Sequence, residues 1–189
     1  MSLSGKKILD VVSSRHMVVA VLATITGLYY LLVALTNTMD TETNRHAVGA
    51  VLSMKATIHN PGVDWRAVTN STVANIAYVL IVIWEYLTAF VLLAAGGVWS
   101  RVLTGRPRGL DTAVKLSSLG WTMGIVLFLG GFLTIAGEWF RMWGNDDVNA
   151  SSAALQNFLI AAVGLILVHL PESAAQQPVS VPSEPKAQD

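Results

Sequence analysis

Four stretches of the chain, at about residues 17–35, 73–99, 113–136 and 153–170, carry almost no formal charge. A helix of roughly 20 apolar residues is enough to cross the ~30 Å hydrocarbon layer of a bilayer. Each stretch has about that reach, which predicts an all-α integral membrane four-helix bundle. Composition agrees: 53% of residues are apolar and only 13% charged, against about 25% charged in soluble domains. The first run, from Met17 to Leu35, follows a basic flank, as a signal peptide would. Signal-peptide cores are about 7–15 residues and end in a small-residue cleavage site. This run is longer and ends Ala34-Leu35-Thr36-Asn37, so it reads as a retained span. Residues 1–171 are therefore expected to form a single four-span domain. Residues 172–189, rich in Pro, Ser, Gln and Ala with no aromatic, read as a disordered cytoplasmic tail.

The connections differ in kind. Thr36 to Thr72 is polar and mixed, with Asp40, Glu42, Arg45, Lys55, Asp64 and Arg66 among short apolar pieces. Loops longer than about 12–15 residues tend to be structured or functional, so a structured extracytoplasmic loop is expected here. Ser53 to Thr57 followed by Asn60-Pro61-Gly62 suggests a short helix stopped by a turn. The second run is long for a membrane crossing and must tilt or protrude. Lys6, Lys7, Arg15, Arg101, Arg106, Arg108, Lys115 and Lys186 fall on one side, and Arg45, Lys55, Arg66 and Arg141 on the other. The excess of basic residues on the first side places both termini in the cytoplasm of a cell inner membrane.

Much chemistry is excluded. The chain has no cysteine, which removes disulfides, thiolate metal sites and cysteine nucleophiles. Twelve Lys plus Arg balance twelve Asp plus Glu, so no basic surplus points to nucleic acid. No phosphate-cradling glycine loop, nucleophile elbow or zinc-protease helix is present. No catalytic residue, cofactor or metal is assigned, and no enzymatic activity is expected.

Among the polar residues, Glu85 is the most informative. A carboxylate inside a span costs several kcal/mol unless it is protonated, paired or hydrated. No Lys or Arg lies at matching depth in another run, while Trp84, Tyr86 and Thr88 beside it offer hydrogen-bonding groups. A neutral, hydrogen-bonded acid near the centre of the span is expected, acting as a polar clamp between helices, a proton or cation site, or a ligand contact. His16 precedes the first run and His169 closes the fourth, both at the expected cytoplasmic face, a weak candidate pair of axial haem ligands. His46 and His59 share the first loop with Asp40, Glu42 and Asp64, without a recognised metal-ligand spacing. Gly120-x-x-x-Gly124, Gly130-Gly131, Gly96-Gly97 and Gly164 suit close helix approach.

At the outer end of the third run stand Glu138, Trp139, Arg141 and Trp143, where Trp65 and Arg66 of the first loop can reach them. Aromatic walls with a few charged groups build small binding sites. The blander alternative is an interfacial anchor with a Glu138–Arg141 pair at i, i+3. Val51-Leu52-Ser53-Met54, Trp65-Arg66-Ala67-Val68, Glu85, and above all Gly137-Glu138-Trp139-Phe140 with Met142-Trp143 and Asn149 carry a resemblance. Over residues 15–171 the chain resembles a bacterial family of predicted small integral membrane proteins catalogued as a domain of unknown function. That resemblance implies four spans and an outward cluster of these motifs. The chain departs from the family pattern at Ala50, Lys55, Val148 and Ser151, where histidine, aspartate, tryptophan and glutamine are usual, and His46 stands one helical turn before Ala50.

These readings converge on a small inner-membrane protein, first a non-enzymatic accessory or scaffold subunit of a larger membrane complex. An oligomeric transporter or channel-like protein using Glu85 comes second and a haem-bearing anchor third. The expected partners are the lipid bilayer and a membrane protein or a second copy of the chain. Glu85, Glu138, Trp139, Arg141, Trp143, Trp65 and Arg66 are the candidate ligand or partner residues.

Overall fold

The computed structural model describes residues 9–105 and 107–171. Lys6, Lys7, Arg106, Lys186 and the expected tail at 172–189 lie outside them. The described residues contain helices and no strand. Helix α1 (Arg15–Met39) starts at Ser14, whose side chain accepts the Met17 amide. Helix α2 (Thr41–Leu52) follows after Asp40. Helix α3 (Ser71–Leu103) is capped by Asn70, which accepts the Thr72 amide. Helix α4 (Leu110–Ile125) continues without a break as a π-helix over Val126–Trp139. Helix α5 (Ser151–His169) completes the bundle. Four helices, with α4 and the π-helix taken as one, are long and apolar enough to cross a membrane, and the protein is an all-α membrane bundle.

Helix α1 packs along α3, α3 along α4, and α4 along α5, each antiparallel to the one before. His16 stacks on Trp99 with ring centroids 5.2 Å apart, which sets the start of α1 beside the end of α3. Small residues decide how close the helices come. A Cβ on Gly120 would stand 2.6 Å from the Leu92 side chain, and one on Gly164 would run into the Trp121 indole. These glycines seat large side chains of the neighbouring helix, whereas Gly97 and Gly130 face open space. Of the glycines singled out, then, only part serves packing within the bundle.

The 33 residues of α3 give about 50 Å of helix at ~1.5 Å per residue. Its first turns stand clear of α1 and carry α2, where Gly49 faces Ala74. The first-loop helix is Thr41–Leu52, not the segment from Ser53 to Thr57 that the Asn-Pro-Gly turn suggested. Ser53 already caps the helix, and Met54 and Ala56 adopt left-handed backbone with φ of 52° and 61°. Such backbone is costly for residues with a Cβ and persists only where tertiary contacts impose it.

The contacts that impose it come from the second loop. Thr57 Oγ1 donates to the Arg141 carbonyl (2.8 Å), Asn145 Nδ2 to the Lys55 carbonyl (3.0 Å), and Arg141 Nη1 to the Ile58 carbonyl (2.8 Å). Arg141 is itself left-handed, with φ of 56°. Beneath these bonds Val51, Met54, Phe140 and Met142 form a small buried cluster separate from the main core. Two polar loops far apart in sequence thus close one end of the bundle as a single interlocked cap.

Candidate functional site

Two groups of polar and aromatic residues stand at the cap end. The first surrounds Glu85, which is only 3% exposed. Its Oε2 accepts a hydrogen bond of 2.7 Å from Asn37 Nδ2 on α1. Its sequence neighbours with hydrogen-bonding groups are engaged elsewhere. Trp84 Nε1 donates to the Met123 carbonyl and Thr88 Oγ1 to the Trp84 carbonyl, while the Tyr86 hydroxyl shares a hydrogen bond with that of Thr38. The hydrogen bond therefore joins α1 to α3, through a residue at the first loop's edge.

That pairing also sets the level of α1 against α3. Asn37 lies two positions past Leu35, the end of the first apolar run, or about 3 Å along the helix. Glu85 is midway along α3, level with the end of α1, while its neighbour Trp84 meets Met123 midway along the third span.

Glu85 and Asn37 line a cavity of about 400 Å³. Its walls come from α2, α3 and the π-helix, with Asn37 from the end of α1 and Phe140 and Met142 from the cap cluster. The π-helix forms one wall of this space. From Val126 onward the π-helix packs mainly against α5, with few contacts to α3, and Leu127, Phe132 and Ile135 line the cavity. π-Helical turns are rare and concentrate at functional sites. No Lys, Arg or His lines this cavity.

The second group is on the surface. Arg66 lies in a 3₁₀ turn (Asp64–Arg66), and its guanidinium sits 4.5 Å from the centroid of the Trp139 ring and 5.8 Å from that of Trp65. The two indoles meet edge to face at 5.8 Å. Arg141 lies 5.2 Å from the Trp143 ring. Glu138 is exposed and borders two shallow grooves, one shared with Arg66 and Trp139 and the other with Trp143. Trp65, Arg66 and Trp139 are thus brought together, and Arg141 and Trp143 form a second cation–aromatic pair beside them. The Glu138–Arg141 pair is not formed among the described ion pairs. Arg141, turned by its left-handed backbone, reaches Ile58 instead.

The histidines are held by the bundle and cap. His16 stacks on Trp99, and His169 Nε2 shares a 2.9 Å hydrogen bond with Ser118 Oγ. His59 faces Asp64 at 3.6 Å, while His46 borders a separate polar cleft with Lys55, Asn75 and Asp147. Among the described residues no three His, Asp or Glu side chains are grouped to hold a metal ion. Asn37 and the π-winding are what sequence reasoning missed. The only signal for the first was an amide directly after an apolar run, and the second left none.

No curated protein and no solved structure matches the chain. Residues 15–171 match the model of a family described as predicted small integral membrane protein (DUF2165), and the chain belongs to that family.

Proposed function

We propose that the protein is a non-enzymatic accessory subunit of the inner membrane, with both termini cytoplasmic, that docks a larger membrane-protein partner through the Arg66–Trp139 face of its cap. The single observation that carries this reading is the environment of Arg66. Its guanidinium is stacked on an exposed indole, and its Nε is buried without a protein acceptor. Trp65 is 70% exposed and Trp139 45%, and Trp and Arg together are the side chains that dominate interface energetics. The interlocked loops hold these groups rigid, which lowers the ordering cost of binding.

The test is mild-detergent extraction of the tagged full chain followed by mass spectrometry of what co-purifies. Replacing Arg66 and Trp139 by Ala together should abolish capture of a specific protein set at unchanged yield. An identical set recovered with the double variant would remove the reading. A second reading, an oligomeric transporter passing a solute by Glu85, is supported by the burial of that acid beside a cavity with no basic residue. Flux in proteoliposomes that vanishes in Glu85→Gln would favour it, and a monomeric particle without flux would count against it.

A further inference from the structure

The Glu85 cavity has a chemical character that the docking role of the cap does not use. Apart from Glu85, its polar wall consists of Asn37, Asn44 and Tyr78. The Tyr78 hydroxyl already donates to the Asn37 carbonyl (2.7 Å), the Asn44 amide to the Asp40 carbonyl (2.8 Å), and the Asn37 amide to Glu85 itself. What the corner presents to the cavity is therefore chiefly oxygen, with an acid at its centre and no cationic side chain in the lining. The remaining wall is aliphatic and aromatic. At about 400 Å³ the space has the size of an ordinary small-molecule site.

Access is from the side. Leu80 on α3 and Ile135 on the π-helix both line the cavity and are 60% and 54% exposed. They stand where the π-helix has parted from α3, and both belong to helices that cross the membrane. A molecule already partitioned into lipid can reach the acid through this gap without entering water. A buried acid lacking a basic partner is held ionised by a cation, and a cation that carries its own apolar body suits a cavity with apolar walls.

We propose that this cavity is a binding site for a lipophilic ammonium, a protonated or quaternary amine on a hydrocarbon body, with its nitrogen at Glu85 and Asn37 and its apolar part along Phe132 and Phe140. A neutral amphiphile would satisfy the apolar wall but leave the acid unmatched. The site holds whether or not the cap docks a partner, because it lies beneath the cap and opens laterally.

The probe is dodecyltrimethylammonium, titrated into the full chain in nanodiscs of zwitterionic lipid and followed by tryptophan fluorescence, with dodecanol as the neutral chain-matched control. Saturable binding of the ammonium is expected, weakened at least about tenfold in Glu85→Gln, with dodecanol binding weakly and equally to both proteins. Ile135→Trp, which fills the mouth and leaves Glu85 intact, should also weaken ammonium binding. Glu85→Gln that fails to fold leaves Ile135→Trp to decide. The proposal is overturned by the absence of saturable binding, by dodecanol binding the native chain as tightly as the ammonium, or by affinity unchanged in the variant that folds.

Discussion

Asn37 and Glu85 show how much one pair of side chains can decide. The carboxylate is removed from water, and its hydrogen bond to the Asn37 amide is the only one it makes among the described residues. Removing one partner leaves the other buried and unmatched, which costs about 1–3 kcal/mol. Asn37→Ala should therefore lower the thermal midpoint of the detergent-solubilised protein clearly. Glu85→Gln, which keeps an oxygen acceptor at the same place, should lower it less. Equal losses in the two variants would show that the amide bond is not what holds the acid. At the cap, Arg66→Ala removes a cation stacked on Trp139, an interaction worth about 0.5–2 kcal/mol. The expected result is altered Trp139 emission with the fold retained, and an unchanged spectrum would mean that the stacking does not persist in the membrane.

Helices in lipid gain little from burying apolar area, so their stability depends on fit. The glycines separate into two kinds on that criterion. Gly164→Ala forces a methyl group into the Trp121 indole and should destabilise by about 1–3 kcal/mol, the usual cost of overpacking. Gly130→Ala meets nothing within 4 Å and should leave the melting temperature within a degree or two. Parallel melts of the two variants in one detergent check the contrast. The sequence marked both glycines as equivalent small residues in spans. Which of them touches a neighbour depends on helix rotation, and on α4 the rotation changes at Val126, where π-winding begins.

For the whole molecule, the absence of cysteine makes orientation directly measurable. A single cysteine at Asp146, exposed in the cap, should react with an impermeant maleimide on intact spheroplasts. One at Arg101, at the opposite end of the bundle, should react only after permeabilisation. The reverse pattern would invert the topology argued from the Lys and Arg distribution. Interlocking of the loops also predicts that Asn145→Ala, which frees the Lys55 carbonyl, increases proteolysis at both loops together rather than at one.

The sequence by itself determined that the chain spans a membrane, that it does so with four apolar helices, and that an acid in the second of them had to be sheltered. These follow from local properties, since apolar length and charge exclusion are read along the chain without knowing what lies beside it. It also brought Trp65 and Arg66 toward Glu138 and Trp139 as candidates, by placing both loops at one end. Only the tertiary structure decided that Asn37 holds Glu85, that Arg141 turns away from Glu138 to Ile58, and that the last turns of the third span form one wall of a cavity. Each of those depends on which side chains from distant segments arrive at the same point, and on backbone geometry that only their contacts can impose.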